Sequence, residues 1–221
     1  MAGADTGGSE SHSAGRGRRP GPPRGRHLVL AAAHTQFGEH GYQGTTIRGI
    51  AAAAGVDPKL VHYYYGTKAE LFTAVIAETF STRGLPDILA EQVNDGHGSV
   101  GIRYVNTVLT ALEHSDMGPA FIGLVRNIGT HEESRQIFLN FVSRELISKL
   151  APRLDADRPE TRVSVAGSQM LGFVIARYVL RVPHVAEMSI AEAANAIGPT
   201  MDRYIVGDIA WGGQNGAAPP P

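Results

Sequence analysis

The stretch IRGIAAAAGVDPKLVHYYYGTK, residues 47–68, limits the possible folds most, because its punctuation dictates two tight corners in succession. Ile47, Ile50, Ala51 and Ala54 recur at three- and four-residue spacing and make one apolar helical face. Thr45 or Thr46 can cap that helix with a hydroxyl oxygen on free backbone N–H groups. Gly55 follows, the residue that most easily takes the left-handed conformation that ends a helix. Val56 is left to plug the corner. Asp57 caps a second helix, and Pro58 sits in its first turn, where a missing N–H costs nothing. This helix, Pro58 to Tyr65, is too short to be stable alone and must be held by its neighbours. Val61 and Tyr65, four apart, face inward. Lys59, Leu60, His62 and Tyr63 then point outward, with Tyr64 between the two faces.

A cation, an apolar residue, an imidazole and a phenol make a poor solvent face but a suitable surface for a DNA major groove. Phosphates attract cations and hydroxyls, and thymine methyls attract apolar groups. Gly66 ends the short helix, Thr67 caps the next, and Lys68 stands at its start. A cation there opposes the helix dipole, unless a phosphate lies nearby to reverse the sign.

In the stretch FGEHGYQGTTIRGIAAAAGVDPKLVHYYYGTKAELF, Phe37, Gly41-Tyr42, Thr45-Thr46, Ile50-Ala51, Ala54-Gly55-Val56, Tyr65, Lys68 and Leu71 keep a specific order and spacing. Over roughly residues 27–75 the chain resembles the DNA-binding domain of the TetR/AcrR family of bacterial helix-turn-helix transcriptional regulators. Two residues depart from the family pattern. Gly49 stands where an acidic residue is common, and Gly in a helix costs about 1 kcal/mol against Ala. His62 stands where the family often has a phosphate-binding Tyr. The resemblance implies a ligand-responsive regulator, most often a repressor, bound to a palindromic double-stranded DNA operator. In that reading Lys59, Leu60 and Tyr63 face bases or nearby phosphates, while Thr46, His62, Tyr64 and Lys68 position the DNA backbone.

Charge distribution fits this reading mildly. Residues 1–72 carry eight Lys/Arg and five Asp/Glu, against twelve and sixteen in the rest. Residues 1–25, rich in Gly, Ser, Pro and Arg, cannot bury enough surface to fold and are expected to be a disordered basic arm. The arm is either a solvated tail or a phosphate-tracking, minor-groove segment. In the second case Arg24 and Arg26, nearest the folded domain, are the residues that touch DNA.

The remainder reads as helical throughout, so the expected fold class is all-α. A helix-turn-helix domain with its linking helix spans 26–83, a helical ligand-binding and dimerisation domain 84–208, and a disordered tail 209–221. The first helix is expected from His27 to His40 with Leu28, Leu30, Ala31, Ala32 and Phe37 inward, and the linking helix from Lys68 to about Arg83. Further helices are expected at 86–93, 100–113, 117–128, 132–150, 159–182 and 190–205, with a loop at NDGHGS. The helices 132–150 and 159–182 are the longest of the back half. Small residues on the second allow close approach, which suits a homodimer through these two helices; packing within one subunit is the less favoured alternative.

Tyr104, Val108, Phe121, Leu124, Phe138, Met170 and Phe173 are candidates for an apolar small-molecule cavity. Asn127 and Arg177 are candidate polar contacts, although ordinary core packing explains any one of these residues as well. Arg177 has Glu132 and Glu145 as possible internal partners. Without cysteines, disulfides and thiolate metal sites are excluded. Nine scattered histidines suggest no metal site, and no catalytic motif or cofactor motif is present, so no enzyme and no cofactor is expected. No apolar run reaches the roughly eighteen residues of a membrane span, and a cytoplasmic location is expected. The remaining alternative is a helical small-molecule-binding protein whose helix-turn-helix contacts protein instead of DNA.

Overall fold

The computed structural model describes residues 22–82, 84, 85 and 99–211, with backbone alone at 22–24. Among them all regular structure is helical. The short helix expected at 86–93, the NDGHGS loop, most of the basic arm and the tail beyond 211 lie outside the described residues.

Helix α1 (Pro22–Gly44) begins at Pro22, not His27, so the expected arm is corrected at residues 22–25. Proline is tolerated in a first turn. Gly25 lies against Tyr64, whose hydroxyl leaves no room there for a Cβ. The helix is kinked at Gly41, whose φ of 65° breaks the ladder. Its buried face is Val29, Ala33 and Phe37, while Leu28 is 43% exposed. This corrects the expected inward set. Leu30 and Ala32 only flank the buried line and Ala31 is exposed. The run from Leu28 to Ala33 contains no polar residue to fix its phase; four-residue spacing back from Phe37 does.

Thr45 is fully buried and directs its hydroxyl to the carbonyls of Gln36 and Gly41, both at 2.8 Å. Thr46 is the cap of α2 (Ile47–Ala54), its Oγ1 accepting from the Gly49 N–H at 3.0 Å. Such a cap contributes about 1 kcal/mol. Gly55 takes φ 66°, and Asp57 caps α3 (Pro58–Tyr65) through the Lys59 N–H at 2.7 Å. Thr67 and Glu70 form a reciprocal capping box at the start of α4 (Lys68–Ser81). Hydrogen bonds from the Thr67 backbone and hydroxyl hold the Glu70 carboxyl below its ordinary pKa. Phe72 packs edge-on against Phe37, with ring centroids 4.8 Å apart, and seals the three-helix head onto α4.

The back half contains α5 (Val100–Glu113), α6 (Gly118–Asn127) and α7 (Glu132–Phe141). A π-helical stretch, Val142–Ile147, carries α7 on to Ser148–Leu150. Helix α8 (Pro159–Val174) likewise runs into a π-helical stretch, Ile175–Val179, and α9 (Ile190–Ile205) closes the fold. Helices α5 and α9 cross in near backbone contact. A Cβ at Gly101 would collide with the Gly198 carbonyl. The Asp202 carboxylate fixes the crossing by accepting from Gly101 N at 2.7 Å and from the Ser99 hydroxyl. At the foot of α8, the buried Arg162 donates to Asp157 and to the carbonyls of Tyr204 (3.0 Å) and Gly207 (2.8 Å), tying down the end of α9.

Candidate nucleic-acid interface and internal cavity

Helix α3 is locked by its inner face. Val61 is fully buried, and the Tyr65 hydroxyl donates to the Arg26 carbonyl at 3.1 Å. With two anchors four residues apart, the rotation of the helix is fixed, and Lys59, Leu60, His62 and Tyr63 are all exposed. Leu60 is 40% and Tyr63 79% exposed, an unusual display of apolar and aromatic surface on one turn. Tyr64, half-buried, meets Tyr63 edge-on at 5.3 Å and braces it.

The flanking residues take distinct places. The Arg26 guanidinium lies 5.0 Å over the Tyr65 ring, so α1 brings an exposed cation beside α3. Arg24 is described by its helical backbone alone. Thr46 spends its oxygen lone pair on the cap, which leaves its O–H free to donate outward. His62 Nδ1 lies 2.8 Å from the Gly66 carbonyl, which can only accept, so Nδ1 carries the proton. Nε2 is the ring nitrogen left without a partner among the described residues. Lys68 is turned inward: its ammonium donates to the carbonyls of Tyr42 (3.0 Å) and Thr45 (3.2 Å) and lies 4.1 Å over the Tyr42 ring. It closes the corner between α1 and α2 and holds the head together. Gly49 lies close under the Thr46 cap, where an added Cβ would be 3.2 Å from Oγ1. The missing side chain keeps the cap geometry open. Exposed Arg48, in the first turn of α2 two residues after Thr46, escaped the sequence reading, although a cation in that turn is a signal for a phosphate contact.

A second feature lies inside the back half. Helices α4 to α8 line a partly open apolar cavity of about 210 Å³. Of the expected residues, Tyr104, Val108, Phe121, Phe138 and Met170 line it. Four do not. Leu124 is buried elsewhere in the core and Phe173 is half-buried off the wall. Asn127 donates to the Gly123 carbonyl of its own helix at 2.9 Å. Arg177, only 7% exposed, is held by the Glu113 carboxylate (2.9 Å) and the Val185 carbonyl (2.8 Å). Neither Glu132 nor Glu145 is its partner, since they pair with Arg135 and Lys149, three and four residues along the chain. The sequence reading missed Phe80 and Phe141, which join Phe121 and Phe138 in an aromatic wall with neighbouring centroids 5.7 to 6.4 Å apart. Phe80 lies in the last turn of α4, the helix that begins at Lys68 in the head.

Among the described residues, no group of three or more His, Asp or Glu converges as a metal site. No described helix is long and apolar enough to cross a membrane.

Residues 29–75 match the model of bacterial regulatory proteins of the tetR family, and residues 99–205 match that of the tetracyclin repressor-like C-terminal domain. The transcriptional repressor AcnR of Corynebacterium efficiens is 32% identical over 81 residues, covering 34% of this chain and 43% of that protein. The chain thus spans less than half the length of such curated relatives. A TetR-family regulator from Streptomyces coelicolor is similar over 86% of this chain and 98% of its own, with 28% identity and a TM-score of 0.59. The multidrug binding protein EbrR complexed with ethidium shares the fold over 82% of this chain and 98% of its own, with 17% identity and a TM-score of 0.53. The two matched segments cover both halves of the molecule, head and helical core, and the chain belongs to the TetR family of bacterial regulatory proteins.

Proposed function

We propose that this protein is a cytoplasmic, homodimeric transcriptional repressor that binds a palindromic operator and is released by a small apolar effector. The observation that carries the proposal is the outward row Lys59, Leu60, His62 and Tyr63 on a helix whose rotation is fixed by Val61 and Tyr65. Solvent gives no reason to expose a leucine and a tyrosine side by side; the floor of a major groove does. Arg26, Arg48 and the free O–H of Thr46 flank that row and address the phosphates.

One short recognition helix reads few bases, so two copies about 34–36 Å apart are needed for a specific site. Helices α7 and α8 supply the dimer face in this reading. Leu180, just past the π-helical continuation of α8, is 67% exposed, and a Cβ at Gly172 meets nothing within 4 Å. EbrR, which shares the fold, binds ethidium, and a role for the present cavity in effector binding is in keeping with that. A molecule lodged against Phe80 acts on the far end of α4 and so on the angle of the head. Release then requires only that the effector bind one head spacing better than another.

Fluorescence anisotropy with labelled DNA flanking the protein's own gene tests the reading. Salt-dependent, saturable binding to one fragment at nanomolar protein supports it, and indifference to every fragment at low salt overturns it.

A further inference from the structure

The described cavity wall is apolar apart from three hydroxyls, and no described residue accepts from one of them. Tyr104 in α5 lines the cavity and is 7% exposed. Among the described residues no group accepts from its hydroxyl, and burial alone pushes its pKa up to about 12, so it keeps its proton. A donor with no protein partner on a cavity wall is free to pair with whatever occupies the cavity. The other wall hydroxyls, Ser164 and Ser168, already donate to the carbonyls of Glu160 (2.7 Å) and Val165 (2.8 Å). Tyr104 is therefore the single uncommitted donor on the described wall.

The remaining lining limits the ligand further. Among the described residues that line the cavity there is no Lys, Arg, His, Asp or Glu. A charged ligand would lose its hydration and find no counter-charge on the described wall. Phe80, Phe121, Phe138 and Phe141 present ring edges and faces, which favour a flat π-system. An apolar cavity of about 150 Å³ accepts benzene, so one of about 210 Å³ suits a fused two-ring compound.

We infer that the effector is an uncharged, flat, bicyclic aromatic molecule bearing a hydrogen-bond acceptor, and that the Tyr104 hydroxyl donates to that acceptor. The inference rests on the reading of this cavity as the effector site. Tyr104 sets specificity by leaving a buried donor unpaired when the ligand lacks the acceptor.

Isothermal titration calorimetry of the full chain without DNA tests it, using coumarin (neutral, with a carbonyl), naphthalene (neutral, no acceptor), 2-naphthoate and N-methylquinolinium. Coumarin is expected to bind at least tenfold tighter than either ion. Tyr104→Phe should weaken coumarin about five- to tenfold, the worth of one hydrogen bond, and leave naphthalene within twofold. The same substitution removes a hydroxyl from which no described residue accepts, so the melting temperature of the free protein should hold or rise. An ion matching coumarin, no binding of coumarin at all, or equal weakening of coumarin and naphthalene in Tyr104→Phe overturns the inference. So does a marked drop in melting temperature, which would make the hydroxyl structural. Because no DNA is present, these outcomes leave operator binding to its own assay. Coumarin binding through Tyr104 in a chain that ignores DNA would sink the regulator reading alone.

Discussion

Tyr42, at the end of α1, donates a 2.6 Å hydrogen bond to the carboxylate of Glu133 in the first turn of α7. Burial first, then the bond to Glu133, keeps the phenol protonated well above its ordinary range, so the donor is always present. The same tyrosine carries Lys68 over its ring, and the same helix α7 supplies Phe138 and Phe141 to the cavity wall. Head and cavity are thus tied at a second point besides α4. Tyr42→Phe keeps the ring and removes only this tie. With Glu133 exposed, the bond is worth about 1 kcal/mol, and calorimetry should show a melting temperature about 2–4 °C lower. An unchanged melting temperature would mean that the bond contributes nothing to the join.

Acid should loosen the far side of the core. Burial disfavours the Glu113 carboxylate, but hydrogen bonds from Tyr178 and Arg177 prevail and hold its pKa below the ordinary 4.5. A group with a depressed folded pKa gives stability that is present above its unfolded value and is lost as pH falls through the folded one. The contribution should therefore be complete above about pH 4.5 and disappear below it. Glu113→Gln leaves Arg177 buried without a counter-charge. Removing one partner of a buried pair costs about 3–5 kcal/mol, and partial exposure of Glu113 reduces that to about 2–3 kcal/mol. Urea denaturation at pH 7 should show this loss, and the gap between wild type and variant should narrow at pH 3.5.

Pairings of this long range also explain how much the sequence discloses. The head was legible because its punctuation is local: Gly55, Asp57-Pro58, Gly66 and the Thr67 cap each act within four residues of themselves. Helix limits at Val100, Glu113, Ile190 and Ile205 were legible for the same reason. The face of α1 was not, because an unbroken apolar run has no phase until Phe72 packs on Phe37. Periodicity marks which face of a helix is apolar but not which helix covers it. Leu124 and Phe173 therefore read like Phe121 and Met170, although only the latter two line the cavity. Arg177 finds Glu113 64 residues away, a pairing that nothing in the neighbouring sequence announces.

Two glycines in helices should respond oppositely to alanine. At Gly198 an added Cβ would lie 2.8 Å from the Ile102 backbone, which cannot move without parting α5 from α9. Gly198→Ala should cost about 1–3 kcal/mol, the usual range for overpacking. Gly172 has open space around its Cβ position, so Gly172→Ala should gain up to about 1 kcal/mol of helix propensity within one subunit. If α8 faces its copy in the dimer, the bulkier Gly172→Leu should raise the dissociation constant at least tenfold in sedimentation equilibrium. A dimer indifferent to Gly172→Leu would place the interface elsewhere.

Three substitutions in the head separate base reading from phosphate holding and from scaffold. Tyr63 is 79% exposed, so Tyr63→Ala should leave the melting temperature unchanged. Without the phenol, binding should weaken by about 1–3 kcal/mol on the preferred operator and less on altered ones, a change of preference that a panel of mutated sites would reveal. Arg26, exposed beside Tyr65, is placed to meet a phosphate. Arg26→Ala should weaken all sequences alike and reduce the slope of log affinity against log salt by about 0.9 for each phosphate no longer neutralised. Lys68→Ala should also weaken all sequences, but for a different reason. Its ammonium is committed to the carbonyls of Tyr42 and Thr45, so removing it loosens the corner that presents α2 and α3. It should therefore lower the melting temperature together with affinity, with a salt slope changed less than in Arg26→Ala. If Lys68→Ala instead flattens the slope and leaves stability intact, the lysine swings out to a phosphate on binding, and its inward hydrogen bonds belong to the free protein alone.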